Sequence, residues 1–153
     1  MSLINDRLKQ LNIVLPPAPA PAANYVPYVK SNKLIFVSGQ IPMLNGGLVT
    51  GKIGKGIEIE DAKTAARLCG LAIVSQLNEA TDLDLDKIKR ILKLGGFVNC
   101  IDEFTQQPEI INGASDLMVE VFGDKGKHSR FAVGTNSLPR NVVVEIEAVA
   151  EIH

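Results

Sequence analysis

The C-terminal part of the chain holds side chains that could bind and process a small acid. Arg130 directly follows the polar segment 124–129 and opens the apolar segment 131–133. A guanidinium is the natural bidentate partner of a carboxylate, although an arginine at a strand edge is more often a surface or ion-pair residue. Glu145 and Glu147 alternate with apolar residues, which indicates either a solvent-facing stripe or charges at a subunit contact. Arg130 is therefore a candidate ligand residue, and both readings of the glutamates stay open.

Other motifs lack a residue that their chemistry requires. Residues 46–52 match a phosphate-binding loop, but Ile53 stands where that loop needs Ser or Thr. The alternating aspartates of residues 82–86 resemble a calcium loop whose later Gly and Glu positions are both lysine, so they predict a solvated turn with capping carboxylates. His128 and Ser129 would point to opposite sides of a strand, so we expect His128 to be a surface loop residue. The sequence has no His pair or Cys/His cluster, and we expect no metal site.

The hydrophobic pattern of the N-terminal half predicts a short helix, an arm and a set of strands. Residues 4–11 favour a helix, and four prolines at positions 16–21 then impose an extended arm. Strands are predicted over residues 25–30 and 34–37. Asn-Gly-Gly at positions 45–47 predicts a hairpin.

Two amphipathic helices and three strands are predicted in the rest of the chain. Apolar residues recur at helical spacing from about residue 58 to 80 and from 108 to 122. Residues 85–99 are ambiguous, with strand slightly favoured, and strands are expected over 130–133 and 142–152. The order β-β-β-α-β-α-β-β predicts an α+β fold with two helices on one face of a mixed sheet. We interpret residues 1–153 as one domain, with 1–24 as an N-terminal helix and proline-rich arm and 25–153 as the core.

Composition and charge exclude several classes of protein. The 153 residues are 46% hydrophobic and 22% charged, which excludes intrinsic disorder. A net charge of −1 and 5% aromatic residues argue against a general nucleic-acid binder. No apolar run is long enough for a transmembrane helix or a signal peptide, so we expect a cytoplasmic protein that contacts no membrane. Cys69 and Cys100 form no spaced motif and are interpreted as free thiols, with a disulfide left open.

The predicted sheet has more apolar surface than its helices can cover. Two helices cover one face, yet residues 34–37, Val143 and Val149 put apolar groups on the other face as well. Such a sheet usually buries its second face against another subunit. We therefore expect an oligomer with clefts where sheets meet.

Several motifs taken in order resemble the YjgF/RidA family, the reactive-intermediate (enamine/imine) deaminases. Ser-Gly-Gln-Ile-Pro at positions 38–42 is similar to a family segment, and Tyr28 fits the family's N-terminal tyrosine. Asn112 fits its asparagine, and Arg130 is followed by Leu-Pro eight residues later and then by Val-Glu-Ile-Glu-Ala at 144–148. The resemblance covers about residues 20–152. It is closest to the longer subgroup once labelled "endoribonuclease L-PSP", which has an extra N-terminal segment.

This resemblance implies a chorismate-mutase-like fold, a homotrimer with three clefts between subunits, and residues 85–99 as mostly strand. It also implies hydrolysis of 2-enamine or 2-imine acids to 2-keto acids and ammonia, with no cofactor and no metal. Arg130 would clamp the substrate carboxylate and Glu145 would position the attacking water. The residues expected to line the pocket are Tyr28, Ser38, Gly39 and Asn112.

Two departures from the family pattern bear on the substrate. His128 stands where the family commonly has Pro or a small residue, and Phe131-Ala132 replaces a small or thiol-bearing pair. We expect Phe131 to narrow or reshape the cleft. A trimer that binds a small carboxylate and regulates without turnover, using the same Arg130, stays open as an alternative. An endoribonuclease is a third reading, against which the balanced charge and the lack of a histidine pair argue.

Overall fold

A proline-rich arm and a short helix lie on the outside of the fold and are held there by hydrogen bonds. The computed structural model describes residues 2–21 and 23–153. Helix α1, Leu3–Gln10, begins with two backbone amides that donate to the Asp86 carboxylate at 2.8 and 2.9 Å. The arm then follows helix α2, Ile59–Ala80, where Ser75 and Gln76 donate to arm carbonyls at 2.8 and 2.7 Å. The predicted capping role of the 82–86 aspartates is thus confirmed, since Asp84 also caps a short turn.

The central sheet has five strands in the order β1-β2-β7-β5-β6. Its strands are β1 Tyr28–Ser31, β2 Leu34–Gln40, β5 Ile88–Asn99, β6 Ser129–Thr135 and β7 Val144–Ile152. The pair β5–β6 is parallel and the other pairs are antiparallel, so the sheet is mixed as predicted. The predicted hairpin forms, but its strands β3 Met43–Leu44 and β4 Gly47–Leu48 make a separate two-stranded sheet.

Two helices cover one face of this sheet, which confirms the predicted α+β layout. Helix α2 packs closely against helix α3, Gln107–Phe122, at Gly113. A Cβ atom added to Gly113 would lie 2.0 Å from the Lys63 carbonyl oxygen of α2. The helices can approach this closely because Gly113 has no side chain. No helix within residues 2–21 and 23–153 is long and apolar enough to span a membrane.

No helix among residues 2–21 and 23–153 packs on the opposite face of the sheet. Alternation along β7 sends Val144, Ile146, Ala148 and Ala150 into the core, whereas Glu145 and Glu147 lie on the other face. Phe36, Phe97 and Val133 remain exposed by 39% to 43%. The sheet therefore presents one face packed under helices and one open face that mixes aromatic, aliphatic and acidic side chains.

Candidate functional site

Arg130 lies on edge strand β6 and points to the face covered by helices. It pairs with the buried Leu94 of β5, and its Nη1 atom donates to Ser115 Oγ of α3 at 3.0 Å. Nη2 makes a longer contact of 3.5 Å with the Pro108 carbonyl oxygen. Among the residues that the structure describes, these contacts occupy two of the five N–H donors of the guanidinium. Three donors of a partly exposed cation thus remain for an anionic ligand.

Asn112 shares a stripe of α3 with the residues that contact Arg130. Pro108, Asn112 and Ser115 are separated by four and three positions, the spacing of neighbours along one side of a helix. Asn112 is half-buried. The structure therefore places the predicted Asn112 beside Arg130, on the same edge of the fold.

Ser38, Gly39 and Glu145 form a second group, on the open face. A bulge in β2 sets Ser38 and Gly39 opposite the single residue Glu147 of β7, since Val37 pairs with Ala148 and Gln40 with Ile146. The bulge brings Gly39 against Glu145, because a Cβ atom at position 39 would lie 2.4 Å from Glu145 Oε1. Only glycine leaves room there for the carboxylate in this position.

The Glu145 carboxyl group has the altered acidity expected of a group that exchanges protons. Glu145 is half-buried beside Phe97, its cross-strand partner. Burial raises the pKa of Glu145 above its ordinary value. A carboxylate with a raised pKa is a stronger base, and such shifts are common at catalytic positions.

The Phe131 ring lies on the opposite face of the sheet from Arg130, because neighbouring residues of a strand alternate in direction. It packs edge-on against Phe97 with ring centroids 5.2 Å apart, and the Lys93 ammonium lies 5.1 Å from its centroid. Gly95 makes room for the ring, since a Cβ atom there would be 2.6 Å from Phe131 Cζ. Within one chain, Phe131 lies nearer to the glutamates of β7 than to the Arg130 guanidinium.

Tyr28 lies far from Arg130 but beside Ser38, because it pairs with Val37 of β2. It begins β1, which is at one edge of the sheet, whereas Arg130 is on β6 at the other edge. Its side chain packs against the core, and it lines a shallow depression with Gln76 and Glu79 of α2. One chain therefore brings Arg130 together with Asn112, and Glu145 together with Ser38 and Gly39. It keeps these two groups apart, and it places Tyr28 next to Ser38 in the sheet, at the far edge from Arg130.

The sequence and the fold both match one family over nearly the whole chain. Residues 5–152 match the profile of the family described as "YjgF/chorismate mutase-like, putative endoribonuclease". The chain belongs to the YjgF family. The protein TCP17 of Trypanosoma cruzi is 46% identical over 148 residues, which are 95% of this chain and 92% of that protein.

A solved structure and a further sequence relative agree with this assignment. The crystal structure of Atu1372, a protein of unknown function from Agrobacterium tumefaciens, is 47% identical, with a TM-score of 0.90 over 98% of this chain and 92% of that one. A RutC family protein of Pyrococcus horikoshii, PH0854, is 30% identical over 87% of this chain and 90% of its own length. The comparisons thus confirm both the family resemblance drawn from the motifs and the predicted chorismate-mutase-like fold.

The structure adds two residues to the Arg130 group that the sequence did not suggest. His128 is half-buried rather than a free surface histidine, and its Nε2 atom lies 2.9 Å from Ser115 Oγ. Its Nδ1 atom lies 2.6 Å from the Gly126 carbonyl oxygen. Ser129 donates to the Leu92 carbonyl, so the hydroxyl partner of His128 is not Ser129 but Ser115, thirteen residues earlier in the chain. The available signal was that Ser115 lies one helical turn after Asn112.

A polar cavity lies where β5 and β6 end, at the start of α3. It encloses about 310 Å³ and is lined in part by Cys100, Gln107 and Thr135. Cys69 and Cys100 are both buried free thiols. Within residues 2–21 and 23–153, no three His, Cys, Asp or Glu side chains are grouped as metal ligands.

Proposed function

We propose that this YjgF protein hydrolyses small 2-imino acids, and the 2-enamine acids that tautomerise to them, giving 2-keto acids and ammonia. The observation that carries the proposal is that the chain supplies both a cation that can bind a carboxylate and a carboxyl group that can act as a base. Arg130 keeps three N–H donors for a carboxylate, and Glu145 is a carboxyl group whose pKa burial raises. A bidentate clamp and a base are the two groups that hydrolysis of an already electrophilic imine requires.

The reaction needs few proton transfers. Glu145 accepts a proton from water as the water oxygen bonds to the imine carbon and the C=N electron pair moves to nitrogen. The protonated carboxyl group then returns its proton to the nitrogen. The C–N bond breaks, the carbonyl forms, and ammonia leaves with the second proton of the water. Arg130 holds the carboxylate so that the imine carbon stays in reach of the water.

The two groups lie on opposite faces of one chain, so we propose that they meet in a cleft between subunits of a homotrimer. Arg130 is on the helix side of edge strand β6, and Glu145 is on the open face of central strand β7. A small substrate is too short to reach around the sheet edge. The exposed Phe36, Phe97 and Val133 support assembly, since an open face of this kind is usually buried by another copy.

A regulatory role without turnover is the second candidate. The relative AldR of Lactococcus lactis, 33% identical over 88% of this chain, is named as a regulator. In such a protein Arg130 would bind the carboxylate of a ligand, and Glu145 would transfer no proton. RNA cleavage, which the family description suggests, is a weaker candidate because the net charge is −1 and no histidine pair can serve as acid and base.

The test is to generate 2-aminoacrylate with a dehydratase and follow pyruvate release with and without the protein. Arg130→Ala should lower kcat/KM by about thirtyfold or more, because removing one partner of a buried charge pair costs about 2–5 kcal/mol. Arg130→Lys should recover only part of this, since an ammonium lacks the bidentate fork. Glu145→Gln should keep pyruvate binding and lose turnover.

A matched control separates loss of the clamp from loss of any surface arginine. Arg90 is also exposed and also donates to a backbone carbonyl, at 3.3 Å, but lies on β5. Arg90→Ala should leave both binding and turnover unchanged. If the parent accelerates no imine hydrolysis but binds pyruvate through Arg130, the regulatory candidate replaces the enzyme. If Arg130→Ala binds and turns over like the parent, the site is wrong.

A further inference from the structure

We infer that Ser115 and His128 are positioning residues that hold the Arg130 guanidinium in place for its carboxylate ligand. The inference rests on the proposed function of Arg130 and adds residues to that site. Its basis is a continuous chain of hydrogen bonds. The chain runs from the Gly126 carbonyl through His128 and Ser115 to Arg130, with heavy-atom distances of 2.6, 2.9 and 3.0 Å.

The direction of every bond in this chain is fixed when the imidazole is neutral. A carbonyl oxygen only accepts, so His128 Nδ1 carries the hydrogen and donates to Gly126. Nε2 is then an acceptor, and the Ser115 hydroxyl must donate to it. A guanidinium only donates, so Arg130 Nη1 donates to Ser115 Oγ. His128 therefore turns the Ser115 oxygen lone pairs toward Arg130.

This arrangement holds the guanidinium at both of its terminal nitrogens. Ser115 Oγ accepts from Nη1 and the Pro108 carbonyl accepts from Nη2, which fixes the plane of the group at the edge of α3. An arginine side chain otherwise loses considerable rotamer freedom when it binds a ligand. A guanidinium that is already held in one orientation loses less, so the ligand binds more tightly.

The contacts also explain why these two residue types occur together. Gly126 is buried and lies against α3, where an added Cβ atom would be 2.1 Å from the Met118 carbonyl oxygen. Its own carbonyl is thereby fixed next to α3, within reach of the His128 ring. The ring spans the gap from this carbonyl to Ser115, which no shorter side chain would do with a donor at one end and an acceptor at the other.

Two substitutions at His128 separate the two ends of the ring. Asparagine places its amide group near the position of Nδ1, so His128→Asn keeps the donor to Gly126 and loses the acceptor for Ser115. Glutamine reaches the position of Nε2, so His128→Gln restores an acceptor for the Ser115 hydroxyl. Ser115→Ala removes the acceptor for Arg130 itself and leaves a good helix residue in α3.

Pyruvate titration calorimetry and imine hydrolysis rates on these variants test the positioning role. Ser115→Ala and His128→Asn should each weaken pyruvate binding by about three- to tenfold, the effect of one lost hydrogen bond. Both should raise KM with kcat nearly unchanged, since the clamp acts on bound substrate and transition state alike. His128→Gln should stay within about twofold of the parent.

A spectroscopic measurement tests the chain of hydrogen bonds without any ligand. The protein has two histidines, and the exposed C-terminal His153 serves as an internal reference. Nitrogen-15 NMR should show neutral His128 as the Nδ1–H tautomer. Ser115→Ala should shift its Nε2 resonance and leave His153 unmoved.

The outcomes distinguish this inference from the proposed function. If the parent binds pyruvate and Ser115→Ala and His128→Asn bind it equally well, the positioning role is wrong and the clamp stands. A neutral Nε2–H tautomer would also overturn it. Covalent labelling of Ser115 by a fluorophosphonate would make Ser115 a nucleophile with His128 as its base, and would refute the positioning role. If the parent neither binds pyruvate nor hydrolyses imines, the proposed function is wrong and this role falls with it.

Discussion

An equal mixture of Arg130→Ala and Glu145→Gln proteins should regain activity that neither variant has by itself. In one chain the guanidinium contacts Ser115 of α3, whereas Glu145 pairs with Phe97 on the open face. In the proposed ring of three identical subunits, every cleft would join the Arg130 side of one copy to the Glu145 side of the next. Each cleft then takes its two groups from different chains.

The size of the recovery follows from the geometry of the ring. A ring with both kinds of subunit has one cleft in which an intact Arg130 meets an intact Glu145. Random equal mixing makes about three-quarters of the rings mixed, and a third of the clefts in each of these are intact. Activity should therefore reach about a quarter of the parental rate, measured as pyruvate release after the two proteins are unfolded together and refolded.

The control mixture uses Arg130→Ala with a protein that carries both substitutions. No subunit in that mixture supplies Arg130, so no recovery is expected. If the first mixture shows only the average of its two components while the parent refolds to full activity, Arg130 and Glu145 do not act across one subunit contact. The proposed cleft would then have to be abandoned.

Three further predictions concern glycines at close contacts and the burial of Glu145. Gly39→Ala should displace the Glu145 carboxylate by about 1 Å, because the added Cβ atom would lie 2.4 Å from Glu145 Oε1. This should lower kcat by up to about 100-fold while pyruvate still binds. An unchanged kcat would contradict this prediction. Gly113→Ala should lower the free energy of unfolding in denaturant by about 2 kcal/mol or more despite better helix propensity, because its Cβ atom would meet the Lys63 carbonyl of α2. Gly70→Ala is the matched control and should cost less, since its nearest contact is a leucine methyl at 2.9 Å. Burial raises the pKa of Glu145, so the stability it contributes is present below about pH 4 and is lost as the pH rises through that raised pKa. Glu145→Gln should thus melt above the parent at about pH 7 and together with it at about pH 3.5, and equal melting temperatures at both pH values would refute the argument.

The elements with strong local patterns could be predicted from the sequence. The alternation of Glu145 and Glu147 with apolar residues predicts the last strand and its two faces. The structure confirms the faces over Val144–Ile152, but the strand begins two residues later than predicted and Val143 is buried ahead of it. Residues 85–99 gave mixed signals because Lys, Arg and Leu favour helix in isolation. These residues form strand β5 because they pair with β6 on one side and with β7 on the other. Gly95 and Gly96 permit this because Phe131 approaches one and Ile111 the other from opposite faces.

The start of β1 shows how a local pattern was overridden by distant contacts. The apolar pattern begins at Tyr25, but the strand begins at Tyr28. Instead, the Ser38 hydroxyl donates to the Val26 carbonyl oxygen at 2.8 Å, and the Ser38 amide donates to the Pro27 carbonyl oxygen. Residues ahead of β1 are thus bonded to the bulge of β2 rather than continued as a regular ladder.

Within a strand, alternation predicts relative direction, so it could have separated Arg130 from Phe131. Alternation in one strand says nothing about the faces of another strand, so the placement of Arg130 and Glu145 on opposite faces needed the sheet pairing. The contact of Ser115 with His128 needed the packing of α3 against β6. Side chains from separate elements meet only through tertiary structure, and no spacing along the sequence encodes that meeting.

The separation of the two groups gives the proposed cleft a means of coupling substrate binding to base strength. Within one chain, burial raises the pKa of Glu145. In the assembled cleft, an unliganded guanidinium nearby would lower that pKa by favouring the carboxylate. A substrate carboxylate on Arg130 neutralises this opposing charge, so the pKa of Glu145 rises again when substrate is in place. The carboxylate would then be most basic at the moment when a water molecule must be deprotonated, and least basic in the empty cleft.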